Sequence, residues 1–447
     1  MPAETPTGRI ESYADVVDRA APAVVTIRSA RRSRAPQQFP FLDDPFFRRF
    51  FGSRAPQGDS GQRELALGSG VIVRQDGYIL TNHHVVDGAE EIKVDLNTRR
   101  TYSAKIVGSD APSDLAVLRI DASGLPVLHP GDSDKVRVGD VVLAVGNPLG
   151  VGETVTSGII SAKGRATGLS DGSFQDFLQT DAPINQGNSG GALVNTRSEL
   201  VGINSQILTP NGGNIGIGFA IPSNMANTVM TQLIGHGKVR RGMLGVGIQP
   251  VTSELAASLG LKDPHGILVN SVVPGGPADK AGVKPGDVIT AVNGQAVNDT
   301  NVLRNQVAGT PPGTEVTLTV LRNGSEQQIR VKVEELSDQA ARQKSDAGGA
   351  TPGGGRLGLS LAPVTPEIAA EMGLKRDTQG VVVQSVDPDG PAGRAGIRPG
   401  DIIQQVNRQP VRSVDEVRTL VQKSGDRPPL LLINRNGQTI FVAVPVS

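Results

Sequence analysis

Short apolar runs punctuated by turn residues set the character of residues 67–221. Gly70-Val71-Ile72-Val73, Val141-Val142-Leu143-Ala144-Val145 and Leu200-Val201-Gly202-Ile203 are examples. Runs of this length at this spacing predict an all-β sandwich or a pair of barrels. Ahead of them the pattern is helical at Tyr13-Ala14-Asp15-Val16-Val17 and strand-like at Ala23-Val24-Val25-Thr26-Ile27. After them, Pro222 to Gly235 predicts a helix that Gly235 and Gly237 would end. Segment 31–64 breaks the order. It is rich in Arg, Gln, Pro and Ser, yet holds six of the ten Phe: Phe39, Phe41, Phe46, Phe47, Phe50 and Phe51. A solvated loop is poor in aromatics, so this segment reads either as an amphipathic helix packed on its own domain or as a loop docking on a partner subunit or an active site.

An internal repeat organises the second half. Gly276-Pro277-Ala278-Asp279-Lys280-Ala281-Gly282-Val283-Lys284-Pro285-Gly286-Asp287 returns as Gly390-Pro391-Ala392-Gly393-Arg394-Ala395-Gly396-Ile397-Arg398-Pro399-Gly400-Asp401. The register holds at one offset from Gly266/Gly380 to Val297/Val411. Two copies of one domain follow, over 241–336 and 356–446. A solenoid needs about three repeats for a continuous core, so each copy is expected to fold as its own unit. The glycine-rich stretch within 337–355 reads as a flexible linker, and residues 1–238 form the domain that precedes the copies.

Composition narrows the function classes. Lys plus Arg (44) equals Asp plus Glu (44), so no global basic excess points to nucleic acid. There is no Cys, which removes disulfides and thiolate metal sites. No apolar run approaches the roughly 20 residues of a membrane helix, which leaves membrane association at most peripheral. The first residues lack the basic and apolar regions of a signal peptide; the chain is expected to be cytosolic, or the trimmed form of a secreted protein. High Gly (56) and Pro (31), with no Trp, suit many short strands joined by tight turns.

Candidate chemistry begins with five histidines. His129, His236 and His265 sit in turn-like surroundings, whereas His83 and His84 follow the strand-like Tyr78-Ile79-Leu80-Thr81. Ser189 lies in Asn185-Gln186-Gly187-Asn188-Ser189-Gly190-Gly191. A nucleophilic serine needs an accessible oxygen and backbone N–H groups aimed at the developing oxyanion. Glycines around it permit a tight path with no Cβ in the way. The hole would be built at Gly187, Asn188 and Ser189, with the N–H groups of Gly187 and Ser189 as donors and Asn188 shaping the turn. Asp114, in Ser113-Asp114-Leu115-Ala116, opens an apolar run. Each of these signals alone is equally a turn or a cap. Together, the order His84, Asp114, Ser189 is that of chymotrypsin-type triads rather than of subtilisins or α/β-hydrolases.

Thr81-Asn82-His83-His84-Val85-Val86, Ser113-Asp114-Leu115-Ala116 and Gly187-Asn188-Ser189-Gly190-Gly191 resemble the three active-site motifs of the HtrA/DegP proteases. Gly146-Asn147-Pro148-Leu149-Gly150, Thr154-Val155-Thr156-Ser157-Gly158 and Gly213-Asn214-Ile215-Gly216-Ile217-Gly218-Phe219-Ala220-Ile221-Pro222 match too, and the repeats resemble PDZ domains. The implied fold class is mainly β, a chymotrypsin-like double barrel followed by two PDZ domains. The resemblance selects His84 over His83, because the family's histidine precedes a small apolar pair. It implies an ATP-independent periplasmic endopeptidase of protein quality control, without cofactor or metal; no nucleotide-binding phosphate loop is present. Its expected partners are unfolded proteins, peptide C-termini and further copies of itself, as a trimer and as larger cages with substrate.

The family likeness also implies subsidiary sites. Ile184 and Ile217 would wall the pocket for the residue before the cut, favouring small or medium aliphatic side chains. Ser205-Gln206-Ile207-Leu208-Thr209 would pair with the substrate backbone. Arg165 would be the activation-loop sensor of the first PDZ domain. Met243-Leu244-Gly245-Val246 would present N–H groups to a peptide carboxylate; Arg356-Leu357-Gly358-Leu359 would do the same or serve a subunit contact. The Phe-rich 31–64 segment would reach a neighbouring subunit, and its lack of a Cys pair resembles DegQ more than DegP. A reading from another class is a chaperone or PDZ scaffold in which cleavage is secondary.

Overall fold

Antiparallel pairing of residues far apart in sequence builds the amino-terminal half. The computed structural model describes residues 12–32, 63–147, 154–166, 174–185, 187–207, 215–261, 264–336, 357–364, 379–425 and 427–445. The chain divides into two units, Met1–Arg240 and Arg241–Ser447. In the first, strands β1 (Val24–Arg32), β2 (Arg63–Ile72), β3 (Tyr78–Thr81), β4 (Glu91–Asp95), β5 (Thr101–Asp110) and β6 (Leu115–Ile120) close a barrel in the order β1-β2-β3-β6-β5-β4. Strands β7 (Val141–Gly146), β8 (Thr154–Arg165), β9 (Phe177–Thr180), β10 (Ala192–Asn195), β11 (Leu200–Ile207) and β12 (Gly218–Pro222) close a second, in the order β10-β11-β12-β9-β8-β7.

Burial explains the apolar runs. Ile27, Ile72, Ile79, Leu115 and Leu118 fill the first barrel, and Val142, Ile160, Leu178, Leu193 and Val201 the second. Each such side chain contributes about 1.5–3 kcal/mol on burial. β1 and β2 pair without a break from Val24↔Val71 to Arg32↔Arg63. The paired strands therefore extend two residues into each end of the 31–64 segment; the Phe-rich remainder lies outside the described residues. The expected helix forms at Ser223–His236 and buries Ala226, Val229 and Leu233. It runs through Gly235 and stops at Gly237, whose positive φ (70°) lets its N–H return to the Leu233 carbonyl.

The second unit contains both copies of the repeat. In the first copy, β13 (Gly242–Met243) pairs with β20 (Glu334–Glu335). Its main sheet runs β14 (Val246–Pro250), β15 (Ile267–Val272), β16 (Val288–Val292), β18 (Glu315–Arg322), β19 (Ser325–Lys332), with β17 (Gln295–Ala296) on β16. The second copy repeats it as β21 (Leu359–Pro363), β22 (Val381–Val386), β23 (Ile402–Val406), β25 (Leu430–Arg435), β26 (Gln438–Ala443), with β24 (Gln409–Pro410) on β23. Even the register shifts recur, at Gly247/Ile248 and Ser360/Leu361, and at Ile289/Ala291 and Ile403/Gln405. Each copy has its own core, around Val269, Ile289 and Leu318 and around Val383, Ile403 and Leu431. A further buried cluster draws on both copies, which the expectation of two separate units does not contain. The 337–355 linker lies outside the described residues.

Candidate active site

His84 stands on a one-turn helix, His83–Val86, that leaves β3. Val85 and Val86 are buried and pin that turn, and the Ser29 hydroxyl donates to the Val85 carbonyl at 2.7 Å. Asp114 follows a short 3₁₀ turn, Ala111–Ser113, that the Asp110 carboxylate caps. Its backbone is left-handed (φ 54°, ψ 41°). Its carbonyl accepts the His83 N–H at 3.1 Å and the Asn82 side-chain amide at 2.9 Å. Thus the helix and the turn are stitched together by backbone before either functional group is considered.

The two side chains then meet. His84 Nδ1 lies 2.9 Å from both Asp114 carboxylate oxygens, and the His84 backbone N–H donates to Asp114 Oδ1 at 3.1 Å. The Ser205 hydroxyl donates to Asp114 Oδ2 at 2.9 Å. Burial pushes the Asp114 carboxyl up; the charge and hydrogen bond of His84, its backbone N–H and the Ser205 hydroxyl outweigh that and hold it below the ordinary carboxylate range. His83 faces elsewhere: its Nδ1 lies 2.5 Å from Ser109 Oγ and its Nε2 3.7 Å from Asp87.

Ser189 is held on the opposite side by a bonded turn. Asn188 N–H donates to the Asn185 carbonyl, Gly190 N–H to Asn204 and Gly191 N–H to Asn188. Among the described residues no acceptor meets the N–H of Gly187 or Ser189. They are the two amides that the sequence offers as oxyanion donors, and Asn188 donates within the turn. Gly190 has φ 83°, and a Cβ there would come within 2.1 Å of the Ser69 carbonyl oxygen. Ser69 fastens the turn to β2: its N–H donates to the Ser189 carbonyl (2.8 Å) and its hydroxyl to the Gly187 carbonyl (2.6 Å). Thr81 Oγ1 donates in turn to the Ser69 carbonyl at 2.7 Å. The Ser189 hydroxyl donates to the Ser205 carbonyl at 3.0 Å.

Comparison with known proteins identifies the family. Residues 68–203 match the model of a trypsin-like peptidase domain, and 242–333 and 382–435 match PDZ domain models. A probable periplasmic serine endoprotease DegP-like from Chlamydia trachomatis is 42% identical over 97% of this chain and 88% of the relative. One of the same description from Rhizobium meliloti is 40% identical over 98% and 92%. The chain belongs to the HtrA/DegP family of serine endoproteases. Among solved structures, the HtrA-type protease AlgW with tripeptide covers 73% of this chain and 98% of its own at 45% identity, with a TM-score of 0.60.

The remaining family positions fall at definite places. Ile184 is buried in a cluster of the second barrel, and Ile217 is half-buried against a cluster drawn from both barrels. Ser205, Gln206 and Ile207 end β11; β10 pairs with β11 only from Leu200 to Ile203, so these three lie beyond it. Leu208 and Thr209 lie outside the described residues. Arg165 is exposed at the end of β8. In the first PDZ copy Met243 belongs to β13 and Val246 to β14, Leu244 is buried, and Gly245 turns at φ 73°. Leu357 and Leu359 are buried, and Gly358 turns at φ 72°; Arg356 is outside the described residues. One site residue and one contact escaped the sequence reading. Ser69 carried one signal, a serine between glycines in a strand. The link from the Ser205 hydroxyl to Asp114 carried none, because the two are 91 positions apart.

Proposed function

We propose that this endopeptidase cuts unfolded proteins in the bacterial periplasm without ATP, using His84, Asp114 and Ser189 as its triad. The observation that carries the reading is the Asp114 carboxylate, which accepts His84 Nδ1, the His84 N–H and the Ser205 hydroxyl together. That arrangement fixes the tautomer with the proton on Nδ1 and leaves the Nε2 lone pair to act as base. The Ser189 proton passes to His84 Nε2 as Oγ attacks the scissile carbonyl. The oxyanion forms against the N–H groups of Gly187 and Ser189. His84 then gives its proton to the leaving amine, and a water activated by the same imidazole hydrolyses the acyl-enzyme. Ser205–Ile207, beyond the reach of β10, offer an edge on which a substrate strand pairs. The PDZ copies take peptide carboxylates at Leu244-Gly245 and Leu357-Gly358, where β14 and β21 are sheet edges. The periplasm and a trimer that grows into cages with substrate follow the named relatives and the resemblance.

The test is cleavage of denatured casein. Ser189→Ala, His84→Ala and Asp114→Ala each lower kcat by on the order of 10⁴-fold or more, whereas His83→Ala retains activity. A correctly folded His84→Ala enzyme with full activity overturns the assignment.

A further inference from the structure

The two PDZ copies share a fold but differ along one sheet face. Matching the Asn323-Gly324 and Asn436-Gly437 turns aligns Leu430, Leu432, Phe441 and Ala443 with Thr317, Thr319, Gln328 and Arg330. In the first copy Gln328 and Arg330 are exposed and both threonines half-buried. In the second copy the four aligned residues are only 2%, 5%, 3% and 8% exposed. They are covered by the first copy: Val251, Leu255, Ala256, Leu268 and Val288 complete the cluster.

Polar groups fit the same contact. Gln249, on β14, offers its side-chain amide to the Phe441 backbone: Nε2 donates to the Phe441 carbonyl at 3.0 Å, and the Phe441 N–H donates to Oε1 at 2.9 Å. β26 is an edge strand, and this amide satisfies backbone groups that an edge leaves open. Ser258 Oγ donates to the Pro428 carbonyl and Thr439 Oγ1 to the Asn270 carbonyl. Turn chemistry departs from the repeat as well. The first copy turns at Asn293-Gly294; the second has Asn407-Arg408, with Arg408 at φ 65°. A non-glycine residue there is strained. Its guanidinium reaches Asn323 Oδ1 and the Gly286 carbonyl of the first copy.

We propose that the β25–β26 face of the second PDZ copy is a docking surface for the first copy of the same chain, and that this docking steadies the strand on which the first copy takes a peptide. The coupling runs through β14: Gln249 holds the second copy, while the backbone of the same edge strand is where a peptide would add. This coupling rests on the peptide-binding reading above; the docking does not.

The test uses the full chain carrying Ser189→Ala. Leu430→Thr, Leu432→Thr, Phe441→Gln and Ala443→Arg together install the residues that the first copy already tolerates in this fold. Gln249→Ala and Arg408→Gly are milder second variants should that set not fold. Amide hydrogen exchange over 246–256 and 438–443 reads docking. Fluorescence anisotropy of a labelled decapeptide ending in a free valine carboxylate, with its amidated form as control, reads the groove. Faster exchange in both segments, with affinity lowered about fivefold or more, is the expected result. Unchanged exchange in well-folded variants overturns docking, and faster exchange at unchanged affinity overturns the coupling. Protection that disappears on dilution of the parent assigns the surface to another chain and overturns the proposal. A parent that shows the expected exchange but binds no peptide refutes the groove reading and the coupling, and leaves docking supported.

Discussion

Asp114 combines a left-handed backbone with a carboxylate that takes three hydrogen bonds. Aspartate tolerates that backbone region better than most residues, so the conformation that ends the 3₁₀ turn also aims the carboxylate at His84. Burial raises the carboxyl, but the His84 charge and the bonds from His84 and Ser205 lower it further. The folded value therefore lies below the unfolded one, near 3.9. The stability this contributes is complete above the unfolded value and is lost as pH falls through the folded one. In a Ser189→Ala background, the urea midpoint should fall in acid more steeply with Asp114 than with Asp114→Asn. Parallel midpoint curves from pH 5 downward would contradict the depressed carboxyl. The preference for His84 over His83 came from the following Val-Val pair. The physical reason is in the fold: those valines are buried and seat the helix, while His83 turns to Ser109 and Asp87.

Between elements, the repeated Pro-Gly-Asp turns serve a purpose that the repeat announced without explaining. Asp287 is 1% exposed and pairs with Arg322 at 2.7 Å through both carboxylate oxygens; Arg322 also donates to the Gly282 carbonyl at 2.8 Å. Asp401, Arg435 and Gly396 repeat the arrangement. Each arginine thus ties the last residue of its strand to the turn after a short helix. Removing one leaves a carboxylate in the interior. Arg322→Ala and Arg435→Ala are each expected to destabilise their own copy by about 3–5 kcal/mol, and Lys at either place should restore only part, since it lacks the two-pronged donor. Calorimetry of the full chain measures both; a loss below about 1 kcal/mol would show the pair to be incidental.

On the scale of the whole molecule, the proposed assembly makes the segment between β1 and β2 the place to test. Six of the ten Phe fall between residues 31 and 64, a composition unlike that of a solvated loop. Under the proposed function, deleting residues 36–52 should change the oligomer distribution and raise basal casein cleavage. Light scattering at micromolar protein, with and without denatured casein, checks the first and initial rates the second. A full-length monomer in the presence of casein, or a deletion that moves neither, would overturn this. Among the described residues no helix is long and apolar enough to cross a membrane.

An all-β first domain, the duplicated domain and the order of the candidate residues were legible in the chain, because strand period, turn residues and motif spacing are local and each carries its own physical reason; the choice of a double barrel over a sandwich came with the family resemblance. Gly190 is one example: the sequence showed a glycine that permits a tight path beside Ser189, and the fold adds the Ser69 carbonyl that a Cβ would strike. Tertiary structure alone decided the rest. Ser69 under the Ser189 turn, Ser205 on Asp114 and Gln249 on Phe441 join residues 118, 91 and 192 positions apart. A hydrogen bond across such a distance leaves no period or spacing behind, since a donor and an acceptor of ordinary type meet only after two barrels, or two copies of one domain, have closed on each other.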